Sequence, residues 1–160
     1  MTNMTPRRAL FVTGTRLEAD DAVVRAVAAS PRIARAFIAV PRSDQFISST
    51  RDLIVAITRG AGGLVRGNRS LSAALDTCMH VLEKKQWPVI HLRGESDARL
   101  ETADVLEMLL DQGSTLIISN QRYLPMVRET PQLRRRAHFV PSESLTPRDI
   151  ASICGVADER

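Results

Sequence analysis

Ala9-Leu10-Phe11-Val12-Thr13 is a continuous apolar run that stops at Gly14. A short run without polar alternation is how a strand covered on both faces reads. The period then changes: Ala19, Ala22, Val23, Ala26 and Val27 recur at helical spacing. A buried strand running straight into an amphipathic helix is the first half of a parallel crossover.

The alternation continues along the chain. Pro31 is expected to end the first helix, and Ala36-Phe37-Ile38-Ala39-Val40 reads as a second strand stopped by Pro41. Ser48 or Ser49 can cap a helix that turns Leu53, Ile54 and Ile57 inward. The stretch from Gly60 to Gly67 reads as a flexible linker, after which Asn68 or Ser70 caps a longer helix. Leu71, Ala74, Leu75, Cys78, Val81 and Leu82 form its apolar stripe. Trp87-Pro88-Val89-Ile90-His91-Leu92 is the third strand, and Leu100, Ala103, Leu106, Leu109 and Leu110 mark a helix closed by Gly113. Thr115-Leu116-Ile117-Ile118-Ser119 is the fourth strand, and a Pro-broken helical stretch spans roughly residues 122–136. Ala137-His138-Phe139-Val140 is a short fifth strand. Thr146 or Ser144 caps a last helix with Pro147 in its first turn.

Strands alternating with helices predict one α/β domain over residues 1–160. Its expected architecture is a three-layer sandwich with a mainly parallel five-stranded sheet, P-loop-NTPase-like or Rossmann-like. A chain of 160 residues can bury a substantial core, and with aromatics at 4% that core must be aliphatic. No apolar run approaches the roughly 20 residues that cross a bilayer, and Met1 to Arg8 lacks a signal-peptide stretch. The expected setting is the cytoplasm, without membrane contact. Cys78 and Cys154 are too few for a disulfide framework and read as free thiols.

Charge is unevenly spread. Residues 1–69 carry 11 Arg and 5 acids, a net of +6, and residues 70–160 carry 11 Lys+Arg and 13 acids, a net of −2. Arg outnumbers Lys by 20 to 2, and Arg makes bidentate contacts to phosphate and carboxylate. Arg59, Arg66 and Arg69 flank the glycine stretch, and Arg134-Arg135-Arg136 is the densest charge run. These six are the candidate contacts to non-specific nucleic acid or to a protein partner, against the plainer reading of a solvated surface.

Ligands of parallel sheets bind at the carboxyl ends of the strands. The candidate pocket residues there are Gly14, Thr15, Arg16, His91, Glu95 and Asn120. His91 with Glu95 and Asp97 nearby is the most enzyme-like group, because a His beside carboxylates can move protons. Its place within an apolar run also fits a packed, hydrogen-bonded side chain. A phosphate loop needs glycines, a Lys and a Ser/Thr; counted from Gly14, those places hold Ala19, Asp20 and Asp21. Glu18, Asp20 and Asp21 suit a helix start as dipole partners and would repel a triphosphate. No His/Cys spacing suits a metal, and neither metal nor cofactor is expected.

The order of elements resembles the AAA+ ATPases of the bacterial transposition-helper and secretion types, over residues 8–153. The resemblance rests on Ala9 to Gly14 as the strand into the phosphate loop, and on Trp87 to Leu92 as the Walker B strand. It rests also on Thr115 to Asn120 as the strand ending in a polar sensor residue. Pro131 to Arg136, then Leu145 to Ile150, resemble the arginine segment and the capped helix beyond it. The loop Lys is absent, and Arg93-Gly94 stands where two acids should follow the Walker B strand. The resemblance therefore implies a degenerate member that does not hydrolyse nucleotide, because the groups that stabilise phosphoryl transfer are missing. It implies a binding role, through nucleic acid or protein contacts, in DNA mobility or secretion. The alternative is a small Rossmann-like enzyme or nucleotide-binding protein using the strand-end loops. In the family an Arg at this place reaches a neighbouring subunit. The corresponding expectation is a weak homo-oligomer, with the Arg134–Arg136 run docking on the helix that bears Glu101, Asp104 and Asp111.

Overall fold

The computed structural model describes residues 8–41, 47–65, 70–86, 88–94, 96 and 100–155. Strand β1 (Ala9–Thr13) leads into α1 (Arg16–Ala28), α2 (Pro31–Arg35) and β2 (Phe37–Val40). Helices α3 (Thr50–Gly60) and α4 (Leu71–Lys84) precede β3 (Val89–Leu92), and α5 (Leu100–Gln112) precedes β4 (Thr115–Ile118). A 3₁₀ turn (Gln121–Tyr123), α6 (Leu124–Glu129) and α7 (Pro131–Arg136) lead to β5 (Ala137–Pro141), and α8 (Pro147–Ile153) closes the described chain.

The five strands form one sheet in the order β2-β3-β4-β1-β5. Every pairing is parallel, with Ala9 opposite both Leu116 and Ala137, and His91 opposite both Ala39 and Ile117. The expected α/β class holds, and the sheet is parallel throughout. Strand side chains alternate between faces, so each strand feeds two cores. Leu10, Val12, Val89 and Ile117 pack with Val23 of α1, Ile33 of α2 and Ile150 of α8. Phe11, Ile90, Leu116 and Ile118 pack on the other face with Ile54 of α3, Leu82 of α4 and Leu106 of α5. This is the three-layer arrangement.

Caps set the helix starts. Ser49 accepts from the Asp52 amide at 3.1 Å, and Ser70 accepts from the Ala73 amide at 3.2 Å. Thr146 and Asp149 form a reciprocal capping box at the start of α8.

Several boundaries differ from expectation. Helix α1 ends at Ala28, before Pro31, and Pro31 opens the separate short helix α2, where its missing N–H is harmless. Residues 121–136 divide into the 3₁₀ turn and two helices that meet at Thr130, just before Pro131. The described residues after Gly60 link α3 to α4 as expected, but two of the glycines there are packed against neighbours. A Cβ on Gly60 would collide with Cγ2 of Ile38, and one on Gly63 would lie 2.6 Å from Cγ2 of Val81. These glycines let α3 and its exit press against β2 and α4. Gly67, Asn68, Arg66 and Arg69 lie outside the described residues, as does Trp87. Among the described residues no helix is long and apolar enough to cross a membrane.

Candidate functional site: a closed crevice at the strand ends

Beyond the carboxyl end of β1 the chain turns into α1, on one face of the sheet. Beyond its neighbour β4 the chain turns through the 3₁₀ turn into α6, on the other face. Connections that leave adjacent parallel strands in opposite directions leave a crevice between them, where such folds place ligands. The residues at these two strand ends are Gly14 and Thr15 after β1, and Ser119, Asn120 and Gln121 after β4.

Gln121 bridges the two strand ends and closes the place between them. Its Nε2 donates to the carbonyls of Val12 and Ser119, both at 2.8 Å, and its Oε1 accepts from the Gly14 amide at 3.3 Å. The Gly14 N–H, which a phosphate loop would direct at an anion, is bound to a neutral amide instead. Gly14 takes φ +148°, and a Cβ there would lie 2.6 Å from Oγ of Ser142. The turn is therefore closed on one side by Gln121 and on another by Ser142.

Deeper in the same place runs a chain of three polar side chains. Oγ of Ser119 donates to Oδ1 of Asp20 at 2.5 Å, and Nε2 of His91 lies 2.7 Å from the same Oγ. Because the Ser119 proton points to Asp20, Nε2 of His91 is the donor to Ser119 and Nδ1 is the bare acceptor. Ser119 and His91 are both fully buried, and Nδ1 of His91 has no partner. The His91 ring rests against Phe37, with centroids 5.4 Å apart. Burial, and then the nearby Arg93 guanidinium, push its pKa down to about 3. Arg93 itself donates from Nε to the Pro41 carbonyl at 2.8 Å. His91 is thus a neutral, locked ring.

The other candidate pocket residues have structural partners. Thr15 caps α1, accepting from the Glu18 amide at 3.4 Å, and Arg16 is exposed on the first turn. Asn120 is buried; its Nδ2 donates to the Ser96 carbonyl at 2.9 Å and its Oδ1 accepts from the Arg122 amide at 3.0 Å. It ties the end of β4 to the segment after β3. Glu95 and Asp97 lie outside the described residues.

Ser119 and Gln121 belong to the strand-end stretch that the sequence singles out, Ser119 to Arg122, but Asp20 was missed as a member of this place. Asp20 had been read only as a helix-start acid. Its contact with Ser119 spans 99 positions, and no local pattern carries that.

The basic segments are dispersed. Arg59 is exposed in the last turn of α3, where a cation suits the helix dipole. Arg134 and Arg135 are exposed on α7, whereas Arg136 pairs with Asp111 of α5 at 2.5 Å, its own side chain 16% exposed. Gln132, with its amide nitrogen toward α5, donates to Glu107 at 2.8 Å. Burial and the neighbouring Asp104 and Asp111 raise the Glu107 pKa, and Arg136 opposes them. Of the arginine run, Arg136 is engaged within its own chain, and Arg134 and Arg135 face solvent. Arg136 and Asp111 meet within one chain. Among the described residues no cluster of three His, Cys, Asp or Glu could hold a metal ion.

No known protein family, curated protein or solved structure matches this chain.

Proposed function

We propose that this chain is a non-hydrolysing, P-loop-like binding module that contacts nucleic acid without base specificity. The observation that carries the first half is the Gly14 amide bound to Gln121, with the Asp20 carboxylate where a phosphate-binding loop places its Lys. A crevice closed in this way, with an acid at that place, disfavours a nucleotide phosphate. Arg59, Arg134 and Arg135, all exposed, support the second half. Arg66 and Arg69 belong to the same proposal by sequence. The resemblance to transposition-helper and secretion ATPases supports a place in DNA mobility or secretion.

A small Rossmann-like enzyme is the second reading, and the Asp20–Ser119–His91 chain is what favours it. A buried ring with its pKa near 3 is a poor general base at neutral pH. The closed crevice therefore supports the binding module over the enzyme.

The test is fluorescence anisotropy with labelled single-stranded and duplex DNA. Binding through three phosphate contacts should weaken about 40-fold from 50 to 200 mM salt. Arg134→Glu/Arg135→Glu should weaken binding to all sequences alike. No binding at the lower salt, together with thermal stabilisation by ADP or ATP, overturns the proposal.

A further inference from the structure

Helix α1 is held to the sheet by small side chains. It buries Ala19, Ala22, Val23, Ala26 and Val27, while the opposite layer buries Leu53, Ile54, Ile57, Leu106 and Leu109. Apolar stabilisation scales with buried area, so α1 is a natural low-stability unit of this fold. Leu17 and Val24 of the same helix face solvent, 70% and 47% exposed, and add little to its docking.

The polar tie is Asp20 to Ser119 to His91. His91 lies on the α1 side of the sheet, in line with Val89 of the same strand. Its Nδ1 has no partner, so a proton there becomes a buried donor without an acceptor. The charged groups that meet the ring are Asp20 from α1, through Ser119, and Arg93 at the end of its own strand. Among the described residues, strand β2 offers the Phe37 ring and Ala39, β4 offers Ser119 and Ile117, and α2 offers Ile33 to that core.

We propose that α1 is an acid-released lid: a proton on His91 favours the state in which α1 has left the sheet and the Ser119–His91 pair beneath it is uncovered. The linkage is direct. In the docked state the ring takes a proton only near pH 3, and once uncovered it does so at the ordinary 6.5. Protonation therefore comes with release. The opening equilibrium rises about 30-fold between pH 7.4 and pH 5.0 if His91 is the group uncovered. Release takes Asp20 away from Ser119, while Gln121 keeps its hold on the Gly14 amide. This inference stands apart from the nucleic-acid reading.

Amide hydrogen exchange on the full chain at pH 7.4 and 5.0, corrected for intrinsic rates, tests it. The expected result is a loss of α1 protection of about 30-fold, with α1 exchanging faster than β1 and β4 at both pH values because it opens without them. His91→Gln keeps a donor for Ser119 and should abolish the difference between the two pH values. If that variant does not fold, Ser119→Ala retains His91 and should show weaker α1 protection at both pH values with the same ratio. Unchanged α1 protection in the wild type overturns the proposal. So does α1 protection equal to that of β1 and β4 at both pH values, which is exchange by global unfolding alone. An undiminished pH response in folded His91→Gln, or a lost ratio in Ser119→Ala, overturns it as well.

Discussion

The Gly14 amide donates to Oε1 of Gln121 at 3.3 Å, joining the ends of two adjacent strands across 107 positions of sequence. One neutral carboxamide answers three backbone groups there: the Gly14 N–H and the carbonyls of Val12 and Ser119. The crevice is closed by the protein's own side chain.

Gln121→Ala strands those three groups, some of them out of reach of water. The expected loss is about 2 kcal/mol of stability, read from urea titration. Neither the wild type nor the variant should hydrolyse ATP with Mg²⁺, because opening the crevice leaves Asp20 in it. Turnover by Gln121→Ala in a phosphate-release assay would contradict this account.

His91 makes stability depend on pH in a fixed direction. Its folded pKa of about 3 lies below the ordinary 6.5, so the unfolded chain binds the proton more readily. This group leaves stability untouched above pH 6.5. It lowers stability by about 1.4 kcal/mol per unit as pH falls toward 3. Between pH 7 and pH 5 the wild type should lose about 2 kcal/mol more than His91→Gln. Equal losses in the two chains would show that His91 is not held neutral.

Gly63→Ala separates a packed glycine from a flexible one. At a free linker position the change stabilises by about 0.4–1 kcal/mol, because it restricts the unfolded chain. Here the new Cβ would lie 2.6 Å from one methyl of Val81 and 3.0 Å from the other, with Cγ2 of Thr58 at 3.1 Å. A loss of about 1–3 kcal/mol is expected. A rise in Tm would restore the linker reading.

The arginine run should divide by burial. Asp111→Ala leaves the largely buried Arg136 without its carboxylate and should cost about 1–2 kcal/mol, the exposure of Asp111 keeping the effect below that of a fully buried pair. Arg134→Ala and Arg135→Ala are exposed changes and should stay within about 0.5 kcal/mol. Comparable losses at all three sites would mean that α7 packs differently.

Periodicity made the architecture legible. The run from Ala9 to Thr13, the alternation of strand-like and helical stretches, and the caps at Ser49, Ser70 and Thr146 all follow from local chemistry. Boundaries were less legible at Pro31, because a proline both ends one helix and suits the first turn of the next. The glycines after α3 misled for a related reason. A glycine kept for close packing and one kept for flexibility are the same letter until the neighbour is known.

The sequence by itself determined the alternating strands and helices, the absence of a Lys after Gly14, and therefore what the crevice lacks. Only the tertiary structure decided what the crevice contains. Strand order places β1 beside β4, and that adjacency brings Gln121 to Gly14 and Ser119 to both Asp20 and His91. These contacts join residues 28 to 107 positions apart. Hydrophobic period reports which face of an element is buried, but not which element will lie against it. The partner of each polar side chain is therefore settled only when the sheet is assembled.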